Sequence, residues 1–323
     1  WNPAGLADVK NGQVYLESYN LFYRNNTSFL GNSFANPFNV SRVNGLGILY
    51  PVATVRGSLV FGIGFNRIHH YDDLMSFSGY SNYNNGMEFP INTDGQLLYY
   101  GFNKDVERYE KIMSNGARDL LTISFGIALS PNLAGGISVS KMKGLENYDF
   151  EFLQKDIADN YQQFPADFQS YEVFQSLKTK TEAWKLRGGV KYIYSPFQFG
   201  FSIALPYNVN VVENHGTQER LIFDNADYSD TLEFGYYDYK VQMPATMDLG
   251  IAFVTDLNLS FSIAYRLQDW SKMQFNLMDF SAQSEDYTIM SVENDLIEQE
   301  YRLVSQLRVG VEGLIPFSKT FGI

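Results

Sequence analysis

The side chains that could do chemistry are few, and they form no recognisable catalytic motif. The 323-residue sequence has no cysteine, which excludes disulfides, thiol nucleophiles and thiolate metal sites. Its three histidines are His69, His70 and His215, and no serine stands in a nucleophile motif that would use them. His69 and His70 precede two aspartates, but neighbouring residues of a strand face opposite ways. The sequence therefore predicts no enzyme, no cofactor and no metal site.

The charge balance excludes another class of partner. The chain has 24 Lys and Arg against 36 Asp and Glu, a formal net charge of -12. Nucleic-acid binding needs clustered basic residues that neutralise phosphates, and the sequence contains no basic run. It also contains no stretch of roughly 18 to 20 consecutive apolar residues, the length that a membrane-spanning helix requires.

The strongest pattern is alternation of large apolar and small residues. In the segment "LLTISFGIALSPNLAGGISVSK" (120–141), Leu121, Ile123 and Phe125 alternate with Thr122 and Ser124. A period of two predicts strands, and segments of about nine or ten residues suit tilted strands that cross a bilayer. The small face predicts a lumen that is filled by a plug or a narrow ligand path. The same pattern recurs at 58–65, 197–205, 247–253, 257–265 and 302–312.

Short and long connections alternate between these strands. Outer-membrane barrels have short periplasmic turns and long extracellular loops, with aromatic girdles at both interfaces. Tyr and Trp suit such interfaces, and aromatic residues make up 16% of this chain. The short turns lie at 50–56, 130–132, 194–196 and 254–256. The long connections lie near 25–40, 67–117, 142–185, 206–246 and 267–302.

Counting strands indicates that the barrel extends beyond this sequence. The turn at 316–320 leaves three residues of an eleventh strand, whereas single-chain bacterial barrels close with an even number. We therefore expect further C-terminal strands. The ten predicted strands lie near 13–24, 41–50, 57–66, 118–129, 133–145, 180–194, 197–212, 238–254, 257–275 and 299–315.

Several motifs, in this order, resemble one known family. The opening "WNPAGLA" is similar to the hatch of the FadL family of outer-membrane transporters, with Asn2, Pro3 and Ala4 as its motif. "MPATMDLGIAF" and "LNLSFSIAYRLQDWSKMQF" resemble that family's proline-led strand pair. "LRGGVKY" (186–192) and "LRVGVEG" (307–313) resemble its recurring Arg-Xaa-Gly strand.

The resemblance implies a fold and a function. It implies an all-β, transmembrane antiparallel barrel of fourteen strands, with residues 1–12 as the remnant of a hatch and 13–323 as barrel. It also implies residence in the outer membrane of a Gram-negative bacterium, among lipid and lipopolysaccharide. The expected function is passive uptake of fatty acids or aromatic hydrocarbons through an extracellular groove, a lumen pocket and a lateral exit.

Two groups of residues are candidate ligand contacts. Leu153, Ile157, Tyr161 and Phe164 recur on one face of a predicted helix, which would line an extracellular groove or pack the loop onto the barrel rim. Basic residues in the inward register would bind a ligand carboxylate, or would pair with lumen and hatch acids such as Asp8, Asp248 or Glu312, because buried charges need compensation. These basic residues are Arg187, Lys191, Arg266 and Arg308.

Three alternatives remain open. Some FadL-fold barrels are protein-binding adaptors, for example in type IX secretion, and the acidic, tyrosine-rich segment 223–239 would suit a protein or glycan partner. A lipase would need a Ser–His pair, which the sequence does not indicate. A soluble β-sandwich would not place its bulky residues outward. A continuous apolar path from the loops to a gap in the wall would distinguish a transporter from an adaptor.

Overall fold

A computed structural model describes residues 2–55, 57–93, 95–162, 167–231, 234–255 and 259–313. The prediction of an all-β, antiparallel fold is confirmed. The strands are β1 (Gln13–Phe29), β2 (Asn32–Val52), β3 (Leu59–His70), β4 (Asp73–Ser81), β5 (Glu88–Thr93), β6 (Gln96–Gly101), β7 (Val106–Ala128), β8 (Leu133–Lys155), β9 (Phe168–Tyr194), β10 (Phe197–Ala204), β11 (Tyr207–Phe223), β12 (Asp227–Thr231), β13 (Gly235–Met243), β14 (Thr246–Val254), β15 (Leu259–Asp269), β16 (Gln274–Phe275) and β17 (Leu303–Gly313).

One large sheet organises the chain. Its main path runs β1-β2-β3-β7-β8-β9-β10-β14-β15-β17, so consecutive long strands are neighbours, as in a meander. The main path contains ten strands, matching the ten that the alternation predicts. In the part of the chain that the structure describes, no ladder joins β1 to β17. The predicted turn at 316–320 and the strand after it lie outside the described residues.

The alternation sorts the two faces of the sheet as predicted. On β7, Leu121 and Ile123 are 52% and 59% exposed, whereas the even-numbered residues face the N-terminal segment and a cavity. The neighbouring strand β3 repeats this arrangement, because directly paired residues lie on the same face of the sheet. Leu121 pairs with Phe65, and Ile123 pairs with Ile63. The outward face is thus a belt of exposed apolar side chains, which includes Leu46, Ile48, Phe61, Ile63, Leu121, Ile123, Ile137, Val139, Leu186, Val190, Phe199, Phe201, Leu249, Ile251, Phe261, Ile263, Leu307 and Val309.

Most of the long connections predicted from sequence are extensions of strands. β1 and β2 meet in a tight turn at Leu30-Gly31, so 25–40 is a hairpin, and β8 and β9 continue through most of 142–185. The alternation of large apolar residues ends where the belt ends. A strand that is polar on both faces still satisfies its backbone through its ladder, so these strands continue without a hydrophobic signal.

Two further differences concern the last third of the chain. The predicted strands 197–212 and 238–254 each break at a proline, Pro206 and Pro244, because proline supplies no ladder donor. The predicted loop 267–302 contains helix α1 (Glu285–Glu300), which is capped where the Ser284 hydroxyl accepts a bond from the Tyr287 N–H at 3.1 Å. No helix among the described residues is long and apolar enough to cross a membrane.

Beyond the apolar belt, the hairpins pack into an aromatic cluster. Phe102 and Phe168 stack with ring centroids 4.5 Å apart and are almost fully buried. Leu221 and Phe223 of β11 pack against them. The cluster joins the β5–β6 hairpin, the start of β9 and the β11–β12 hairpin, and it fixes the shape of the cavities on this side of the molecule.

Candidate functional site

The N-terminal segment lies against the small face of the sheet. Pro3–Asp8 forms a 3-10 helix that contacts β3, β7, β8 and β9. Asn2 caps it, since its Oδ1 accepts a bond from the Ala4 N–H at 2.9 Å. The Asn2 Nδ2 donates to the Val190 carbonyl at 2.8 Å and to the Phe201 carbonyl at 3.1 Å. Of the predicted hatch residues Asn2, Pro3 and Ala4, Asn2 therefore ties this segment to β9 and β10.

Glycines on three strands make room for this segment. A Cβ on Gly126 of β7 would lie 2.7 Å from the Leu6 Cβ, and one on Gly136 of β8 would overlap Pro3 and Ala4. A Cβ on Gly189 of β9 would overlap the Asn2 amide. Real Cβ atoms do not approach so closely, so the absence of side chains on this face is what allows the segment to pack there.

A cavity of about 480 Å³ lies next to the N-terminal segment, on the same face of the sheet. Pro3 and Leu6 of the segment contribute apolar surface, and Leu49, Ile68 and Leu120 contribute more from β2, β3 and β7. Its volume falls within the range of roughly 300 to 1,000 Å³ that small-molecule pockets occupy. The cavity can therefore hold a small apolar ligand.

One side of this cavity carries positive charge. Arg187 of β9 and Arg266 of β15 both bond Asp248 of β14, at 2.5 and 2.6 Å. Ser202 also lies within hydrogen-bond distance of this cluster, at 3.2 Å from the Arg187 guanidinium. One carboxylate thus faces two guanidinium groups.

Lys185 is a residue that the sequence analysis did not select. It lines the cavity, and its Nζ lies 4.9 Å from the centre of the Tyr207 ring. No carboxylate of the described residues lies within ion-pair distance of its ammonium. Its position two residues before Arg187, in the same inward register, is the signal that could have identified it.

The other predicted lumen cations lie apart from this cavity's charged side. Lys191 pairs with Asp8 of the N-terminal segment, one of the acids that the sequence analysis named. Arg308 of β17 donates to the Gln306 side chain at 2.6 Å and is exposed at the sheet edge. Neither residue lines the cavity, whereas the predicted inward cations Arg187 and Arg266 both do.

The predicted groove residues Leu153, Ile157 and Tyr161 do not share a helix face, which corrects that expectation. Leu153 lies in β8, where it pairs with Tyr109 on one side and Glu172 on the other. These two ladders hold it in a strand. Ile157 is exposed in the connection that follows, and Tyr161 packs on the aromatic cluster, where burial is the largest cause that raises the pKa of its phenol. Phe164 lies outside the described residues.

A seam interrupts the sheet between β2 and β4. β2 pairs with β3 only over 45–52, and β4 pairs with β7 alone in the described part of the chain. Side chains close the gap instead of a backbone ladder: Thr27 and Asn36 donate to the Ser76 carbonyl at 3.0 and 3.1 Å. At its inner end, Arg42 pairs with the buried Asp72 at 3.0 Å. The seam is therefore held more weakly than the rest of the wall.

Comparison with known proteins gives one structural likeness. No family model matches the chain, and no curated protein matches it. Among solved structures, the crystal structure of the Pseudomonas putida toluene transporter TodX is similar over 85% of this chain and 67% of that chain, at 13% identity and a TM-score of 0.43. A likeness at this level assigns neither a family nor a ligand to this chain.

Proposed function

We propose that this chain is the body of an outer-membrane barrel of the FadL type, which carries hydrophobic small molecules across the membrane without chemical change. Fatty acids and aromatic hydrocarbons are the expected ligands. The observation that carries the proposal is the combination of an outward apolar belt with a lumen face against which an N-terminal plug is packed. The "NPA" motif at Asn2, Pro3 and Ala4 lies in that plug.

The apolar belt supports a membrane location. A face lined by Leu, Ile, Val and Phe on ten consecutive strands is far larger than the few hundred Å² that soluble monomers leave exposed. In a bilayer this face contacts acyl chains, and the backbone groups are satisfied by the ladders.

The charged cavity supports a ligand with an acidic head and an apolar body. Leu6, Leu49 and Leu120 would contact the apolar part. Lys185 and the guanidinium groups on Asp248 would contact a carboxylate through charge-assisted bonds. A fatty acid fits this pairing better than a neutral hydrocarbon does.

The seam supports a lateral exit. Ile68 lines the cavity and lies in the irregular part of β3, next to the register shift between Arg67 and His69. The cavity thus reaches the end of β3, where the ladder to β2 has already stopped. Opening the seam would break side-chain bonds, each worth about 1 kcal/mol, and would leave the ladders intact.

A cysteine crosslink tests the exit. The Ser76 hydroxyl donates to the Asn36 amide at 2.6 Å, and the chain has no other cysteine. Uptake of a radiolabelled fatty acid by cells that express Asn36→Cys/Ser76→Cys should stop on oxidation and return on reduction. The matched control is Asn115→Cys/Asn147→Cys, whose parent side chains bond at 3.0 Å across the intact β7–β8 ladder. Equal uptake by the oxidised and reduced seam variant would exclude this exit.

One observation favours a second function, that of a protein-binding adaptor. Ile289, Val292 and Leu296 form an exposed apolar stripe on helix α1, and the helix carries six acidic residues and no basic one. Such a stripe with an acidic border suits a basic protein surface. Val292→Asp should abolish co-purification of a partner without changing fatty-acid uptake if the adaptor function is correct.

A further inference from the structure

A second cavity, of about 480 Å³, lies on the side of the molecule that carries the aromatic cluster. It is separate from the cavity beside the N-terminal segment and shares no lining residue with it. The β5–β6 hairpin, β9 and the β11–β12 hairpin form its walls. We call it the aromatic cavity.

Aromatic rings form the apolar part of its wall. Phe102 is held in place by its stack on Phe168, and Tyr171 lies 5.8 Å from the Phe102 ring centre. Phe89 and Tyr228 lie across from them with ring centres 5.1 Å apart. Four rings from four different strands or connections thus offer π surface to one volume.

The charged lining of this cavity has one sign. Glu88, Glu219 and Asp230 line it, and no lysine or arginine does. Glu219 and Asp230 are directly opposite each other on β11 and β12. Like charges at opposed positions of an antiparallel pair repel. None of the three carboxylates forms an ion pair with a basic residue in the described part of the chain.

From this arrangement we infer that the aromatic cavity binds a small organic cation, an alkylated ammonium group on an apolar body. The cation would lie between Glu219 and Asp230 and would relieve their repulsion. The aromatic faces would contact its alkyl groups, as in aromatic cages that recognise quaternary ammonium groups. This site differs from the lumen cavity, which carries cations and is suited to an anion.

Isothermal titration of the detergent-solubilised protein with phenyltrimethylammonium chloride tests the inference. Wild type should bind one equivalent, with an affinity that falls as salt is added. Glu219→Gln and Asp230→Asn should each weaken binding about tenfold. Tyr228→Leu keeps the volume apolar but removes one ring, and it should weaken binding about threefold. The control Asp238→Asn removes an exposed carboxylate of β13 outside the cavity and should bind as wild type does.

The outcomes separate the inference from the proposed transport function. Asp230 lies on the fully exposed strand β12, so Asp230→Asn is expected to fold even where Glu219→Gln is not. The inference would be overturned if the wild-type protein did not bind phenyltrimethylammonium, or if wild type and Asp230→Asn bound it with equal affinity. Fatty-acid uptake should not differ between wild type and these variants, because no step proposed for uptake uses the aromatic cavity.

Discussion

Gly136 of β8 lies directly against Pro3 of the N-terminal segment, so closely that a Cβ at Gly136 would overlap the Pro3 and Ala4 backbone. This contact joins the N-terminal segment to the sheet at a position where any side chain would interfere. It explains why one face of the strand carries small residues while the other carries Ile137 and Val139.

The first prediction follows from this contact. Gly136→Val should displace the N-terminal segment, since overpacking costs about 1–3 kcal/mol and the neighbouring atoms are backbone. In planar bilayers the variant should show a higher ion conductance than wild type. Gly250→Val is the matched control, because the nearest atom to a Cβ there is the Ile263 carbonyl oxygen at 3.9 Å. Equal conductance in the two variants would contradict the assignment of residues 2–8 as a plug.

A second prediction concerns the anchor of the plug. Asn2→Ala removes two bonds to β-strand carbonyls and the cap of the 3-10 helix. The loss should be about 1–2 kcal/mol of local stability. Hydrogen exchange measured by mass spectrometry should then rise in residues 2–10, with little change in β8 and β9. Asn208→Ala, at an exposed position of β11, should leave exchange in residues 2–10 unchanged. An equal rise of exchange in residues 2–10 of Asn208→Ala would contradict the role of Asn2 as the anchor of this segment.

The shared carboxylate in the lumen gives a third prediction. Asp248→Asn leaves Arg187 and Arg266 without their common partner, so the free energy of unfolding should fall by about 1–2 kcal/mol. The side chains of Arg187 and Asp248 are only 19% and 21% exposed, so solvent screens the pair little, but the amide that replaces the carboxylate still accepts hydrogen bonds and limits the loss. Loss of this negative charge from the cavity wall should strengthen the binding of a fatty-acid anion. Urea unfolding in detergent and equilibrium binding of a fluorescent fatty acid measure the two effects.

Asp227→Asn provides the comparison for Asp248→Asn. The side chains of Asp227 and Arg220 are about half exposed, and solvent-exposed ion pairs of this kind contribute little to stability. Asp227→Asn should change neither fatty-acid affinity nor stability appreciably. A fall in fatty-acid affinity in Asp248→Asn would contradict the placement of the acidic head beside Arg187.

A fourth prediction concerns pH. Burial, with a smaller effect from Glu219, raises the pKa of Tyr171 to about 12 from an ordinary value of 10.0. The folded protein therefore holds this proton more tightly than the unfolded chain does. The resulting stabilisation is complete below about pH 10 and is lost as the pH rises to about 12. Because burial also raises the pKa of Tyr239 to about 12, absorbance at 295 nm should show several late-titrating phenols in wild type and one fewer in Tyr171→Phe.

Glu219→Gln separates the two causes of that shift. It should lower the pKa of Tyr171 but leave it above 10, because burial is the larger cause and remains. A Tyr171 pKa in Glu219→Gln that equals the wild-type value would show that the carboxylate does not face the phenol, and it would also weaken the description of the aromatic cavity.

The strands that carry the apolar belt were well predicted from the sequence, because successive side chains of a strand point to opposite faces of the sheet. Leu121 and Ile123 face outward and Thr122 and Ser124 face inward, since a period of two leaves a strand no other choice. The inward register of Arg187 followed from the same rule. The pairing of Lys191 with Asp8 agrees with the alternative that the inward basic residues pair with lumen or hatch acids, because a buried cation needs a nearby acid.

Features that depend on contacts far apart in sequence could not be predicted in this way. Leu153 has helical spacing with its neighbours, but two ladders hold it in β8. The stack of Phe102 on Phe168 joins segments 66 positions apart, which no local pattern reveals. Helix α1 is different: its Ser284 cap and acidic first turn were visible in the sequence, in a region that the loop pattern had assigned to a connection.

Native mass spectrometry of the gently extracted full-length protein tests the central claim most directly. The lumen cavity beside Lys185 should retain one apolar small molecule from the membrane, and its released mass and fragmentation should identify a carboxylic acid. Lys185→Met should reduce its occupancy, whereas Lys143→Met, which alters an exposed lysine outside the cavity, should not. An empty protein that instead retains a second polypeptide would contradict the transport function and favour the adaptor.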